Sequence, residues 1–455
     1  MTFTSVNPCT GEPVDSYSAA TSDEVERAVG GAREAFRGWR RSDFADRTRC
    51  LREAARLLRN RAGEYARLMA VEMGKPVRSG RAEAEKCAWV CDYYAEHGPS
   101  QLAPQAVATD ASRSFVSFQP LGVILAIMPW NFPFWQVLRF AAPNLMAGNA
   151  ALLKHAPNVP GCALALEELF REAGFPEGLF RSLLVPVEHV PGLIEDPRVK
   201  GVTLTGSVRA GREVARQAGQ ALKKTVLELG GSDPYVVLAD ADVDEAARIC
   251  VKSRLTNSGQ SCIAAKRLIV VEAVRAQFEA RVVERMEAVR AGDPLREETE
   301  LGPLARGDLR DRLHGQVMES TKRGARCLLG GRFPSGPGFF YPATVLTEVT
   351  PGMPAYEEEL FGPVAAVLVA RDDEEALRMA NDTAFGLGAA VFTGSPAAGE
   401  RLAAEELEAG CCFVNASVRS DPRLPFGGIK QSGYGRELSG FGIREFVNIK
   451  SVWVA

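Results

Sequence analysis

The sequence has few cysteines and histidines for its length. Ten cysteines and four histidines are spread over 455 residues, and no two histidines have the spacing of a zinc-binding helix. A scaffold held by disulfides needs denser cysteines, so we expect free thiols in a reducing compartment. We predict no metal site, and we interpret Cys87 and Cys91, which share a helix face, as buried thiols.

Long apolar runs and runs of one charge are also missing. No stretch approaches the roughly eighteen apolar residues of a membrane span, and residues 1–13 lack the pattern of a secretory signal. The 54 basic and 57 acidic side chains leave a formal net charge of -3, and neither sign is clustered. We therefore expect a cytoplasmic protein that binds neither nucleic acid nor a membrane.

The composition is that of a globular protein with more than one domain. The 455 residues are about three times a usual domain length, and apolar spacing predicts a mostly helical segment over the first hundred residues. Strand-like and helical segments then alternate, which is typical of parallel sheets with crossover helices. A Gly-Gly pair at 230–231 marks the expected boundary between two α/β units. We expect strands within 113–127, 150–153, 202–205, 235–238, 267–271 and 443–454, and helices at 162–172 and 243–254.

Three segments carry candidate chemistry on their residue types alone. Cys262 lies in a polar loop after a helix, where it is either a nucleophile or a thiol packed under the loop. Glu228 stands among apolar residues at a strand end and is either paired structurally or held near neutral pKa for proton transfer. The segment 205–211 follows a strand and opens a helix, so Gly206 and Ser207 either contact a phosphate or only cap the helix.

Five motifs indicate which family the sequence resembles. In chain order they are Pro129-Trp130-Asn131-Phe132-Pro133, Leu227-Glu228-Leu229-Gly230-Gly231, Gly259-Gln260-Ser261-Cys262, Glu359-Leu360-Phe361-Gly362-Pro363 and Pro425-Phe426-Gly427-Gly428. Their order and spacing resemble those of the aldehyde dehydrogenase superfamily from Asn7 to the last strand. The chain length and the segments LLKHAPNVP and TLTGSVRAG are most similar to the short bacterial NAD(P)-dependent succinate semialdehyde dehydrogenases.

The resemblance implies an α/β fold in three parts. We expect a Rossmann-like NAD(P)-binding domain from residues 1–101 and 119–228, an α/β catalytic domain from 229–425, and a small β oligomerisation element from 102–118 and 426–455. A homodimer or homotetramer is implied as well. The apolar last strand agrees with this, because it would otherwise leave an exposed sheet edge.

The resemblance also assigns the reaction and its central residues. Cys262 matches the nucleophile that attacks the aldehyde carbonyl as a thiolate, and Glu228 matches the general base. Asn131 matches the amide that holds the oxyanion of the thiohemiacetal together with the Cys262 backbone N–H. Relatives that pass the thioester to coenzyme A generally lack a carboxylate at position 228, so we expect hydrolysis to a free acid.

NAD or NADP is the implied cofactor. Lys154 matches the lysine that reaches the adenosine ribose, and Pro157 stands where NAD-preferring relatives often carry a glutamate. We therefore expect NADP to be accepted, while the preference between the two stays open. The other residues expected at the cofactor are Met128, Pro129, Trp130, Ala156, Gly206, Ser207, Leu229, Gly230, Glu359 and Phe361.

The substrate expected from the resemblance is succinate semialdehyde. Arg139 and Ser420 match residues that hold its distal carboxylate. Thr256 stands where longer relatives carry a second arginine, so we expect the enzyme to select less strictly for carboxylated over neutral aldehydes. The remaining expected substrate residues are Trp135 and Ser261. Alternative substrates are glutarate semialdehyde or a broad range of aliphatic aldehydes, and a third reading is a non-catalytic protein that retains the fold.

Overall fold

The computed structural model describes residues 1–455, which form twenty strands. In chain order they are β1 (Thr2–Val6), β2 (Pro13–Ser18), β3 (Gln105–Ala106), β4 (Arg113–Pro120), β5 (Val123–Met128), β6 (Ala150–His155), β7 (Phe180–Ser182), β8 (Val199–Thr205), β9 (Lys224–Glu228), β10 (Pro234–Val237), β11 (Arg267–Val271), β12 (Arg326–Leu329), β13 (Thr344–Thr347), β14 (Val364–Ala370), β15 (Phe385–Gly386), β16 (Gly388–Phe392), β17 (Cys411–Val414), β18 (Ile429–Lys430), β19 (Gly433–Tyr434) and β20 (Val447–Val454).

Fifteen α-helices connect and cover these strands. They are α1 (Ser22–Trp39), α2 (Phe44–Asn60), α3 (Ala62–Met73), α4 (Val77–Gln101), α5 (Trp135–Met146), α6 (Pro160–Glu172), α7 (Val190–Glu195), α8 (Val208–Gln220), α9 (Val243–Arg254), α10 (Arg275–Glu287), α11 (Gly307–Lys322), α12 (Pro354–Glu357), α13 (Asp373–Asn381), α14 (Pro396–Arg401) and α15 (Ser439–Gly442). Short 3₁₀ turns at Val187–His189, Thr256–Gly259 and Glu272–Val274 and a π turn at Leu402–Glu406 complete the secondary structure.

Two sheets dominate the fold, and the predicted α/β class is confirmed. The first has the order β19-β9-β8-β5-β6-β7 and is parallel except at its β19 edge. The second has the order β12-β13-β14-β11-β10-β16-β17 and is parallel except at β12. The chain passes from the first sheet to the second between Glu228 and Pro234, where the Gly-Gly pair predicted a boundary.

A third, three-stranded sheet has the order β20-β4-β3. The strand-like segment 113–127 forms two strands in different sheets, because Pro120 lacks an N–H and Gly122 turns the chain at φ 143°. Ile449, Trp453 and Val454 on β20 are exposed. Strands β18 and β19, which fall inside the expected oligomerisation range 426–455, pair instead with β15 and β9. The predicted division into domains stays a prediction.

Helices α2, α3 and α5 pack against the long helix α4, which brings the amino-terminal helices up to the first sheet. Helix α5 is buried along its whole length, so its polar residues face protein and not bulk water. Helix α9 and strand β11 begin and end where the sequence predicts them. These elements fix the positions from which side chains reach the space between the two sheets.

Three further observations describe the whole chain. None of the helices combines the length and the apolar character that crossing a bilayer requires. No group of three His, Cys, Asp or Glu side chains is arranged to hold a metal ion. All ten cysteines are free thiols.

Candidate active site

Cys262 lies where two cavities meet. One cavity, of about 770 Å³, runs between α4, α5 and α9, and the other, of about 630 Å³, lies at the carboxyl ends of the strands of the first sheet. Cys262 and Gln136 are the two residues that line both. A thiol at this junction can contact one molecule in each cavity, which is what a reaction between two bound molecules requires.

The loop that carries Cys262 has an unusual backbone. Asn257, Ser258 and Gly259 all have positive φ, at 55°, 56° and 75°, and such residues are costly unless their surroundings hold them. A β-carbon at position 259 would lie 2.2 Å from the carbonyl oxygen of Gly362, so glycine is required there. The Nδ2 atom of Asn257 donates to the carbonyl oxygen of Asn131 at 2.6 Å. These contacts join the cysteine loop to the Asn131 loop.

Burial raises the pKa of the Cys262 thiol to about 12, although nearby Lys266 and Arg139 act in the opposite direction. Lys266 is itself 1% exposed, and its Nζ donates to the carbonyl oxygens of Ser261 at 2.9 Å and Cys262 at 2.7 Å. Its ammonium also lies 3.5 Å from Glu359 Oε1. Lys266 thus holds the backbone of the cysteine loop in place. Because the pKa of the thiol is raised, Cys262 needs a base to become a nucleophile.

Asn131 is buried beside the cysteine loop. Its Nδ2 donates to the carbonyl oxygen of Gln260 at 3.1 Å, and its Oδ1 accepts from Gln136 Nε2 at 3.1 Å. The side chain is therefore oriented with its amide nitrogen toward the loop of Cys262. The backbone N–H of Cys262 donates no hydrogen bond within the protein. The Cys262 N–H and the second N–H of the Asn131 amide are thus free to donate, as the predicted oxyanion role of Asn131 requires.

Glu228 ends strand β9 behind the cavity walls. Both carboxylate oxygens are buried without a hydrogen-bond partner, and a β-carbon at Gly427 would lie 2.7 Å from Oε1. Burial raises the pKa of Glu228 well above its usual range; Arg139 lowers it, and Glu437 raises it further. Of the two readings left open for this carboxylate, paired or held for proton transfer, the geometry favours the second.

Arg139, which we expect to bind the substrate, is held in place by buried protein groups. It forms an ion pair with Glu437, its Nη2 donates to Thr205 Oγ1 at 3.4 Å, and its guanidinium lies 4.6 Å from the centre of the Phe426 ring. The Arg139 side chain is 3% exposed and that of Glu437 is 6% exposed. Burial raises the pKa of Glu437, and Arg139 acts against that rise. Arg139 nevertheless lines the larger cavity together with Cys262.

The smaller cavity contains most of the residues expected at the cofactor. The rings of Trp130 and Phe361 meet edge to face across it, with centroids 5.7 Å apart. Glu359 Oε1 accepts from the Gly231 N–H at 3.1 Å, and a β-carbon at Gly230 would lie 2.6 Å from Glu359 Oε2. The expected residues that line this cavity are Pro129, Trp130, Gly206, Ser207, Leu229, Gly230, Glu359 and Phe361.

The remaining expected cofactor residues lie at the carboxyl ends of β5 and β6. Lys154 pairs in register with Ile127, and its buried ammonium makes no ion pair, so burial lowers its pKa. Met128, Ala156 and Pro157 stand beside it at the same sheet edge. Ser207 caps α8 by accepting from the Ala210 N–H at 3.3 Å. An unpaired cation and a helix amino terminus at one sheet edge fit the ribose and phosphates of a dinucleotide.

All four residues expected at the substrate line the larger cavity. Trp135 and Arg139 come from α5, Ser261 from the cysteine loop, and Ser420 from the segment after β17. Thr256, which replaces the second arginine of longer relatives, lies on the same cavity wall. Their roles in binding stay predictions.

Sequence reasoning missed three charged residues of the site. Lys86, on α4, lines the larger cavity and donates to Ser420 Oγ at 2.7 Å. Lys266 and Glu437 support Cys262 and Arg139 from behind. Lys86 stands far along the chain from every recognised motif, and nothing in its sequence neighbourhood marks it. Lys266 is four residues after Cys262, and a lysine inside an apolar strand entry is a signal of a buried role.

A profile of the aldehyde dehydrogenase family matches residues 1–452. The chain belongs to this family. One similar protein is the "Probable succinate-semialdehyde dehydrogenase" of Synechocystis sp. (strain ATCC 27184 / PCC 6803 / Kazusa), which is named as using NADP(+). The two sequences are 50% identical, and the alignment covers the full length of both. The chain is 49% identical to the succinate semialdehyde dehydrogenase Sad, named as using NAD(P)+, of Escherichia coli (strain K12), with 99% of this chain and 97% of that protein covered.

Among solved structures, this aldehyde dehydrogenase is similar to the succinic semialdehyde dehydrogenase from Streptococcus pyogenes in complex with NADP+. The TM-score is 0.97 at 37% identity, and 99% of each chain is covered. At this similarity the architecture described above is that of the family, and the predicted family and enzyme class are confirmed.

Proposed function

We propose that this aldehyde dehydrogenase oxidises succinate semialdehyde to succinate with NAD or NADP as the hydride acceptor. The observation that carries the proposal is Cys262 at the junction of a cavity lined by expected cofactor residues and a cavity lined by cations. Relatives about 50% identical over the whole chain are named for the same substrate and cofactors, which supports it. The alternative aldehydes gain no such support.

The first step makes a bond between Cys262 and the aldehyde. With its pKa raised to about 12, almost none of the thiol is ionised at neutral pH, so its proton must pass to a base as the sulfur attacks the carbonyl carbon. Glu228 is suited to this, because its raised pKa makes its carboxylate a better proton acceptor than an exposed one. The carboxylate lies behind the cavity wall, so it reaches the thiol by rotation of its side chain or through a water molecule.

The carbonyl electron pair then moves onto oxygen. The Cys262 N–H and the Asn131 amide stabilise that oxyanion, and each such donor is typically worth about a hundredfold or more in rate. When bound, NAD(P) supplies the acceptor for the hydride that leaves the same carbon as the C=O bond re-forms. What remains on Cys262 is a thioester.

Hydrolysis completes the turnover. Glu228 first releases its proton to solvent, then accepts a proton from the water that attacks the thioester carbon. The C–S bond breaks, Glu228 gives the proton taken from water to the departing thiolate, the carboxylic acid leaves, and Cys262 is again a thiol. A carboxylate at position 228 therefore favours a free acid as the product over transfer to coenzyme A.

We also propose that the protein is a homodimer or homotetramer in the cytoplasm. Ile449, Trp453 and Val454 leave apolar surface on the edge strand β20, and such an edge is normally covered by a partner strand. Ten free cysteines suit a reducing compartment. The three-part division into cofactor, catalytic and oligomerisation domains belongs to the same proposal.

The substrate assignment is tested by initial rates of NADH and NADPH formation with succinate semialdehyde and with butyraldehyde. We expect kcat/KM to favour the carboxylated substrate by about tenfold or more, equivalent to roughly 1.4 kcal/mol in the transition state. We expect Arg139→Met to reduce that preference, because Arg139 lines the cavity. Equal kcat/KM values in the wild type would overturn the assignment to succinate semialdehyde.

A further inference from the structure

Lys86 is a cation without a counter-ion in the larger cavity. Its ammonium donates to Ser420 Oγ at 2.7 Å and lies 4.2 Å from the centre of the Trp135 ring. It takes part in no ion pair, and the two carboxylates whose charges act on it, Glu83 and Asp421, are already engaged. Glu83 is paired with Lys75, and Asp421 is paired with Arg423 at 2.7 Å.

Arg139 presents the opposite situation in the same cavity. Its charge is balanced by the buried carboxylate of Glu437, and the Oγ1 atom of Thr205 accepts a hydrogen bond from its Nη2. The charge of Arg139 is close enough to Lys86 to help lower the pKa of the Lys86 ammonium. An anion placed between two such cations removes their repulsion and supplies the counter-ion that Lys86 lacks.

Other charged residues line this cavity as well, among them Arg248, Arg285, Glu300 and Arg419, but Lys86 is the cation that donates to Ser420 and lies over the Trp135 ring. Thr256, where longer relatives carry a second arginine, turns its hydroxyl to the carbonyl oxygen of Lys252 at 3.0 Å. A positive charge beside Arg139 comes instead from Lys86 on α4, a different element of the fold. Trp135 lies against Lys86 and lines the same cavity as Cys262, so its ring offers an apolar surface to the carbon chain of a substrate.

We propose that Lys86, oriented by Ser420, is a specificity-determining residue that binds the distal carboxylate of the semialdehyde jointly with Arg139. This inference rests on the proposed function, since it names the group that recognises the substrate's anionic end. Lys86 contacts the substrate and takes no part in the chemistry at Cys262. Its removal therefore weakens the binding of carboxylated aldehydes and leaves neutral aldehydes unaffected.

The test compares kcat and KM for succinate semialdehyde and butyraldehyde in the wild type, Lys86→Met and Lys86→Arg. Lys86→Met is expected to raise KM for succinate semialdehyde by about tenfold to a hundredfold, the usual range for a hydrogen bond to a charged group. The values for butyraldehyde are expected to change by less than about twofold. Lys86→Arg, which keeps the charge, is expected to recover most of the lost affinity.

Lys252→Met is the matched control, because Lys252 is an exposed lysine at the rim of the same cavity. An equal loss in Lys252→Met and Lys86→Met would show that general positive charge attracts the substrate, and would overturn the assignment to Lys86. An unchanged KM in a folded Lys86→Met that still oxidises butyraldehyde would also overturn it. If the wild type shows no preference for the carboxylated substrate, the proposed function itself fails, which is a distinguishable result.

Discussion

The buried pair of Arg139 and Glu437 allows a quantitative prediction about stability. Arg139→Met leaves Glu437 buried at 6% side-chain exposure with its cation removed. Burial already raises the pKa of Glu437, and Arg139 limits that rise. In the variant the pKa of Glu437 therefore rises further, and the carboxyl takes up a proton when the protein folds.

The size and sign of the effect follow from that proton. In the unfolded chain a glutamate has a pKa of about 4.3, so holding it protonated at pH 7 costs roughly 1.36 × 2.7, or about 3.7 kcal/mol. At pH 5 the same cost is only about 1 kcal/mol. Because the folded state of the variant binds more protons than the unfolded state, its deficit grows as pH rises from 5 to 7, by about 2.7 kcal/mol.

Urea unfolding at pH 5, 6 and 7 measures this deficit for wild type, Arg139→Met, Glu437→Gln and the double variant at equal protein concentration. The double variant is expected to recover at least half of the loss at pH 7, since it carries no unpaired carboxylate at 437; Glu228 accounts for the remainder. A deficit in Arg139→Met that is equal at pH 5 and pH 7 would refute the reasoning.

Two further predictions concern catalysis. Burial, and then the charge of Arg139, lower the pKa of Lys86 to about 8. The ratio of kcat/KM for succinate semialdehyde to kcat/KM for butyraldehyde is therefore expected to fall as pH rises through 8 in the wild type. In Lys86→Arg this ratio is expected to stay constant over the same pH range. The ratio cancels the ionisation of Cys262, which both substrates share, and the other ionisable groups facing Lys86 are Cys87, Glu83 and Asp421. Asn131→Ala is expected to lower kcat by about a hundredfold with little change in KM; a loss confined to KM would show that Asn131 acts in ground-state binding instead.

The parts of the fold that the sequence predicts well are those with a local signal. Helix α9 and strand β11 have clear periodicity, and their bounds agree with the prediction. The change of sheet after Glu228 was marked by two glycines. Within the segment 113–127 the β-branched and aromatic residues continue past Pro120, so their pattern predicts strands there but not the turn at Gly122 that places them in two sheets.

The same distinction between local and long-range signals applies to the residues of the site. Cys262, Asn131 and the cofactor residues lie in short motifs whose spacing is visible in the chain. Lys86 and Glu437 lie 176 residues before and 175 residues after Cys262. Only the packing of α4 brings Lys86 to the larger cavity, and only the segment before α15 brings Glu437 to Arg139. Whether a buried charge is paired depends on such distant contacts, so no pattern in the sequence distinguishes the paired Arg139 from the unpaired Lys86.

The central claim is that Cys262 carries the substrate as a thioester that Glu228 helps to hydrolyse. Glu228→Gln, mixed with succinate semialdehyde and NADP, tests it by rapid kinetics and mass spectrometry. The account predicts at most about one equivalent of NADPH per active site, formed more slowly than in the wild type because Glu228 also takes the thiol proton, and then a stall with a succinyl group on Cys262. It predicts no reaction in Cys262→Ser. Full turnover by Glu228→Gln, or NADPH formation without a succinyl group on Cys262, would contradict it.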